Sequence, residues 1–384
     1  MKEKWEYQPI GSVCSSFSGY TPPASLLKEK GAYPYFKVAE MNFPQNKKIL
    51  TTTNAHIDNP TRVFPKNSVV FPKNGAAIAT NKKRILAQDS VVDLNTGGLI
   101  ANDSLLNYVF FYYIMQHIDF RLLIRRGAVP TLDFSELKKV NIPIPSLDEQ
   151  QQIVEELDLL SSIIDKKKEQ LKELDNLAQS IFYDMFGTTN SEKGWDVKKF
   201  GDIGTFQRGG GFLKSDFIEN GFPCIHYGQI HTKFGEFIHK HLTSIPEELA
   251  KSKSKIAQQG DVIIAITSED VEGSCKSVAW LGAYDVAVGA HAAIFKHNMN
   301  PIYVSYYLKS EEFSRAKIRY AHGFKVVEIK PKDIAKIDIL IPPLSLQQQF
   351  ASKIEAIERQ KELIKLSITE VETLFNSRMD YYFN

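Results

Sequence analysis

The chain has 384 residues, 43% hydrophobic and 24% charged, a balance ordinary for a globular protein and ample for two cores with a connecting element. Three distant cysteines (Cys14, Cys224, Cys275) argue against a disulfide framework, the opening MKEKWEYQPI has no apolar signal core, and the longest apolar run, Leu105 to Met115, is too short to span a bilayer; a cytoplasmic protein with no membrane partner is expected. The net charge of +2 hides a segregation: residues 1–140 hold 18 Lys+Arg against 11 Asp+Glu, residues 148–187 only 4 against 10, so a basic globular part facing an anion is expected beside an acidic helix that does not.

Trp5-Glu6-Tyr7 opens the first globular segment, and Ile10-Gly11-Ser12-Val13 follows. A polar turn, SGYTP (Ser18 to Pro22), precedes a strand predicted over Tyr35 to Ala39. Further strands are predicted at Val69-Val70-Phe71, after the Lys66-Asn67 turn, and at Val91-Val92. An aromatic-rich helix is predicted over Ser104 to Leu123.

The stretch from Asn141 to Gly187 then reads as a short apolar strand, a Pro-containing turn, a triple Gln and a long amphipathic helix. Its seam is Ile153, Leu157, Leu160, Ile164, Lys167, Leu171, Leu174, Ala178, Ile181 and Met185. Steps of four and three are the a/d pattern of a coiled coil. Asp148 with Gln151 fits an N-cap and its return partner, and Gly187 a C-terminal stop. Roughly 39 helical residues make a rod about 58 Å long.

After a polar linker, TTNSEKG, the pattern starts again. Trp195-Asp196-Val197 and Phe200-Gly201-Asp202-Ile203 repeat the opening, 190 residues on. Strands are predicted at Cys224 to Tyr227, Val262 to Thr267 and Val286 to Val288, and a helix over Ile302 to Arg319. An offset of 197 then carries the first long helix onto Phe350, Ile354, Ile357, Lys361, Ile364, Ile368, Val371, Phe375, Arg378 and Tyr382, with Ser345 and Gln348 at the cap. Each seam holds a Lys at a different level, which can fix register. The plain alternative is that each helix packs only on its own lobe; sustained heptads favour a long helical partner.

The fold class expected is α+β: two similar α/β lobes separated by two long helices that form an antiparallel coiled coil, with a pseudo-two-fold internal repeat. The segments are 1–145, 146–187, 188–342 and 343–384. Two similar heads in opposite senses suit a bipartite target, and duplex DNA is itself pseudo-two-fold.

IPIPSLDEQQQIVEELD with its helix ending in SIFYDMFG, the weaker IPPLSLQQQF copy, and SGYTP together resemble the specificity subunit of type I restriction–modification systems, over essentially the whole chain. The resemblance implies two target-recognition domains that each read half of a split sequence in double-stranded DNA, spaced by the coiled coil. It implies partnership with two methyltransferase (modification) subunits, which methylate adenine at N6, and with restriction subunits. S-adenosylmethionine, ATP and Mg would be bound by those partners, not by this chain, which would itself be no enzyme. The alternatives are a coiled-coil interaction scaffold, or the specificity subunit of a modification-only or related restriction system. The second copy departs from the pattern: Leu346 replaces the acid found at Glu149, and RGGGF (Arg208 to Phe212) stands where the first lobe has SGYTP.

Motifs for catalysis are lacking. The strings nearest an amino-methyltransferase loop are Thr21-Pro22-Pro23 and Pro342-Pro343-Leu344; GGGFLKS (Gly209 to Ser215) lacks the Gly that a phosphate loop needs before Lys214. Cys224-x-His226 with His231 is too sparse for zinc, and no metal site is expected. Contacts to DNA need Lys, Arg or small polar groups on loops, and longer side chains that reach base edges. In the first lobe the candidates are Ser18, Tyr20, Thr21, Lys73, Asn74, Asn81, Lys82, Lys83, Arg84, Arg125 and Arg126, with Lys82-Lys83-Arg84 the sharpest basic cluster. In the second they are Arg208, Gly209, Lys214, His226, Tyr227, Gln229, His231, Lys276, His291, Arg319, His322 and Lys325. Seven of nine histidines fall in this lobe, so its binding is expected to strengthen as pH falls toward 6.

Overall fold

A computed structural model describes residues 5–125, 127–187, 192–253, 255–323 and 325–384. The chain divides into two compact units, Met1–Lys168 with Leu366–Asn384, and Glu169–Lys365.

In the first unit a five-stranded sheet runs in the order Cys14–Ser18, Thr96–Ala101, Val69–Pro72, Arg84–Leu86, Ile49–Leu50. Neighbours are antiparallel except the last pair, Ile49 with Ile85, which is parallel. Alternation along the central strand sends Val69 and Phe71 into one core and Val70 into another. Both faces are covered, which is why this strand reads as an unbroken apolar run. A second sheet, His56–Ile57, Tyr33–Phe36, Val91–Val92, lies beside it in the chain order, and the ribbon Glu6–Pro9 with Asn141–Ile144 joins the segment's two ends.

The second unit repeats this frame. Its sheet order is Gly204–Arg208, Ala292–His297, Val262–Ala265, Ser277–Trp280, Phe237–Ile238, with the same senses. Val262 and Ile264 enter one core, Ile263 and Ala265 the other. Asp196–Lys199 pairs with Asp338–Ile341 as the closing ribbon. Its smaller sheet gains a fourth strand, Lys255–Ala257.

The aromatic helix of the first unit is shorter than the sequence predicts, Tyr108–His117, because Asn107 caps it and Phe120–Leu123 tightens into a 3-10 turn. Its counterpart is broken in two, Pro301–Tyr307 and Glu311–Lys317, where Ser310 caps a fresh start.

The long helices span Leu147–Phe186 and Leu344–Phe383, 40 residues each, and each gives one part to either unit. In the first unit Ile153 and Leu157 share a core with Met379 and Tyr382, while Glu156 pairs with Arg378 and Lys168 with Glu372 at 2.7 Å. Residue numbers rise on one helix as they fall on the other, so the segments are antiparallel. The same holds in the second unit, where Asp175 meets Lys361 at 2.7 Å and the Phe182 and Phe186 rings meet Phe350 at 5.5 and 5.3 Å. No predicted seam residue is exposed. Two of the polar seam residues have ionic partners: Arg378 has Glu156, and Lys361 has Asp175 and Glu358.

The predicted cap is corrected. Ser146, not Asp148, precedes the first turn; its Oγ accepts from Glu149 N at 3.3 Å, and the Glu149 carboxylate accepts from Ser146 N at 3.2 Å. Gln151 instead accepts from Asn107 Nδ2. With Leu346 in place of that acid the return bond cannot form, and the second helix opens on its ordinary first turn, the Pro343 carbonyl accepting from the Leu346 and Gln347 amides. Gly187 ends the first helix at φ +86°, its N–H donating to the Tyr183 carbonyl.

The first Gln of each triplet is a joint. Gln150 is buried; its Oε1 accepts from Asn107 N at 2.8 Å, and its Nε2 donates to the Leu105 and Pro145 carbonyls. Gln347 does the same for Asn300 N and the Pro342 carbonyl. One amide side chain thus ties ribbon, aromatic helix and long helix together in each unit.

Candidate nucleic-acid interface

One end of the first unit's sheet gathers several of the expected DNA contacts. Ser18 pairs with Gly97, and the Gly19 and Tyr20 amides donate to the Thr96 and Val92 carbonyls. A Cβ on Gly19 would lie 2.1 Å from the Asp93 carbonyl, so this close approach demands glycine. The Lys73 amide donates to the Asn95 carbonyl, and the Asn74 side chain reaches Asn95 Oδ1 at 3.4 Å. A hairpin, Ile124–Arg125 with Thr131–Leu132, attaches where Leu132 N donates to the Lys73 carbonyl. Ser18, Tyr20, Lys73 and Asn74 therefore surround one turn, Asp93 to Thr96. Thr21 is exposed beside them, and the Tyr20 hydroxyl accepts from Thr61 N.

The basic cluster is elsewhere, and two of its three cations, Lys83 and Arg84, face inward, a correction to the sequence reading. Lys83 has no exposed surface; its Nζ donates to Asn81 Oδ1 and the Ile118 carbonyl, both at 2.7 Å, and lies 4.1 Å from the Phe120 ring centre. Burial pulls its ammonium down to about 7. Arg84 donates to the carbonyls of Asn46, Lys83 and Met41, and Lys82 to Asn42. Asn81, in the left-handed region at φ +54°, holds both Lys83 and Phe120 N. Asn81, Lys83 and Arg84 thus build the fold, while Lys82 stays half-exposed. Arg125 is clamped by Asp133, whose carboxyl it holds far below the usual range, so it braces the hairpin. Arg126 lies outside the described residues.

The corresponding end of the second unit has the same plan. Gly209 and Gly210 amides donate to the Ala292 and Val288 carbonyls, and a Cβ on Gly209 would lie 2.2 Å from the Gly289 carbonyl. Thr267–Ser268 pairs with Val327–Glu328, and His322 exchanges backbone hydrogen bonds with Glu328. Arg208 reaches across to Glu328 at 3.0 Å and to the Ala290 carbonyl.

Here the side chains enclose a cleft of about 570 Å³, lined among others by Tyr227, His231, Thr267, Glu269, Lys276 and His291. The Tyr227 ring lies 5.0 Å from His291 and 6.0 Å from His231. His231 Nε2 donates to the Thr267 carbonyl at 2.9 Å. Lys214, Lys276 and Lys325 are exposed, and among the described residues their ammonium groups have no ion pair. Arg319 stacks over Tyr320 at 4.9 Å and is exposed.

Two second-lobe expectations are corrected. Gln229 is a framework residue: its Oε1 accepts from His226 N and its Nε2 donates to Thr243 Oγ1, as Glu40 serves Lys37 N and Thr53 in the first unit. His226 is buried, its Nδ1 accepts from Gly228 N, and burial, then the charges of Lys214 and His291, push it down to about 4. His297 is also pushed down to about 4, by burial. Neither can gain charge at pH 6, so the expected strengthening of binding cannot come from them.

Sequence reasoning missed Glu269 and Thr267. A search for cations passes over an acid, and nothing in the run ITSED marks Thr267 as a cleft wall. Among the described residues no group of three or more His, Cys, Asp or Glu is placed to hold a metal ion, and no helix is long and apolar enough to cross a membrane.

Two lobes that share a frame while their edge turns carry different polar side chains define a repeated recognition module. The type I restriction modification DNA specificity domain matches residues 2–176 and again 192–373, and the chain belongs to that family. It is 23% identical over 392 residues to the type I restriction enzyme MjaVIII specificity subunit of Methanocaldococcus jannaschii, covering 96% of this chain and 90% of that one. To the MjaIX specificity subunit of the same organism it is 25% identical over 414 residues, covering 94% and 90%. The fold is similar to that of the crystallised type I restriction–modification S subunit from M. genitalium, with a TM-score of 0.55 at 14% identity, covering 99% and 96% of the two chains. A solved chain from a type I restriction–modification system gives 0.59 at 18% identity, covering 98% and 97%.

Proposed function

We propose that this chain is the DNA-reading, non-catalytic subunit of a type I restriction–modification complex. Each unit presents its sheet-end turns and hairpin to the major groove over half of a split target, and the paired helices set the spacing. Two modification subunits supply adenine-N6 methylation with S-adenosylmethionine, and restriction subunits add ATP- and Mg-dependent cutting. The observation that carries this reading is the repeat of one frame with different edge residues: Ser18, Lys73 and Asn74 in one unit, Arg208, Thr267 and His291 in the other. A constant frame with variable loops is what reading two different half-sites requires.

The test incubates the chain with labelled S-adenosylmethionine and mixed DNA, alone and with its modification subunits. Transfer is expected only in the assembled complex, at defined adenines, with DNA affinity falling steeply as salt rises. Methyl transfer by the chain alone would contradict the reading.

A further inference from the structure

The second unit's cleft contains a carboxylate that the frame does not use. In the loop after Thr267–Ser268, Asp270 is occupied, its Oδ1 accepting from Gly273 N at 2.6 Å. Glu269 is exposed, lines the cleft, and makes no hydrogen bond or ion pair among the described residues. An acid left unpaired on a surface proposed to meet phosphates costs affinity unless it has a specific partner.

The loop that carries it is held from behind. Lys317, only 4% exposed, donates to the Glu272 carbonyl at 2.9 Å and the Ser274 carbonyl at 2.6 Å. Cys275 takes φ +62°, unusual for a residue with a side chain, and a Cβ on Gly273 would sit 2.4 Å from Ser268 Oγ. Burying an ammonium group to fix a surface loop is costly, and it pins the backbone at Glu272 and Ser274, close in sequence to Glu269. A second feature lies on the same wall: Thr267, 6% exposed, has a buried hydroxyl without a hydrogen-bond partner. Lys276 supplies an unpaired ammonium on the same cleft.

A carboxylate and an ammonium on one cleft match the major-groove edge of a C·G pair. Cytosine shows an N4 amino donor there, and guanine shows O6 and N7 acceptors. An A·T pair fits worse, because adenine N7 beside its amino group repels the second carboxylate oxygen. We propose that this cleft reads one C·G pair of the second half-site, with Glu269 accepting from cytosine N4 and Lys276 donating to guanine. The inference rests on the DNA-reading role proposed above.

The test uses the assembled complex. The methylated motif is mapped on a randomised DNA library for the unaltered chain, Glu269→Gln, Glu269→Ala and Lys276→Met. For the Glu269 variants, preference for C·G is expected to fall about ten- to a hundred-fold at one position of one half-site, with the other half-site unchanged. Lys276→Met weakens the same position, and 7-deazaguanine there reproduces its effect on the unaltered complex. Glu269 and Lys276 are exposed and unpaired, so folding should survive; unaltered selectivity in the other half-site verifies it. An unchanged motif, or a uniform loss at every position, would overturn the inference. A complex of the unaltered chain that methylates without sequence preference would instead sink the DNA-reading role itself.

Discussion

The two units share a frame almost strand for strand, yet they use buried charge differently. In the first, the buried cation Lys83 joins a strand to the end of the aromatic helix, and the neighbouring Arg84 is drawn inward with it. In the second, the buried cation Lys317 stiffens a loop at the candidate reading edge, and Lys276 stays outside. The lesson is that a run of basic residues says little about where charge is presented. The frame decides which cations it needs, and only the remainder can face a ligand.

The helix segments differ in the same way. In the second unit they meet through an aromatic cluster, Phe182, Phe186 and Phe350. Phe350→Ala is expected to cost about 3–5 kcal/mol, read as a lowered denaturation midpoint. A cost under 1 kcal/mol would mean that the cluster is not what holds these segments.

The glutamine joints test the likeness of the units instead. Gln150→Ala and Gln347→Ala should each cost about 1–3 kcal/mol, because each strands buried backbone groups. Similar losses in the two variants are expected; a large loss in one and none in the other would break the equivalence.

Acidity and alkalinity should separate the units. Lys83 sits at about 7 against an ordinary 10.5, so between those values the unfolded chain holds a proton that the folded unit lacks. First-unit stability therefore rises as pH climbs through that window, and Lys83→Met should flatten the rise. His226 and His297 sit at about 4 against 6.5, so between those values the unfolded chain again holds more protons. Second-unit stability therefore falls as pH drops from 6.5 toward 4, and replacing His297 by Gln should blunt the fall. Hydrogen exchange resolved by unit at several pH values checks both directions.

The smallest effect belongs to the ion pair at the first unit's helix contact. Arg378 and Glu156 are each about one-third exposed, so Arg378→Ala should cost only about 0.2–1 kcal/mol, and less in high salt.

The repeat, the long helices and their seam were legible because periodicity of 3.5 residues and an offset of 197 survive in the residues themselves. Gly187 was legible as a stop because a glycine just past a long helical pattern marks a C-terminal cap, and its φ of +86° is one that favours glycine. The edge turns were partly legible: SGYTP and RGGGF mark them, and the structure brings Ser18 and Arg208 to equivalent sheet ends. The roles of the cations were not. That Lys83 turns inward depends on the Ile118 carbonyl and Phe120, which come from a distant part of the chain, whereas Lys276 stays exposed. The cap moved from Asp148 to Ser146 because a two-residue shift leaves the local signal almost unchanged.

The most direct measurement is the motif methylated by the assembled complex, mapped across a genome or library. Two specified blocks separated by a fixed unspecified spacer, with changes in one unit's edge turns altering one block alone, is the result expected. A single continuous block, or both blocks changing together, would contradict a chain built from two independent readers.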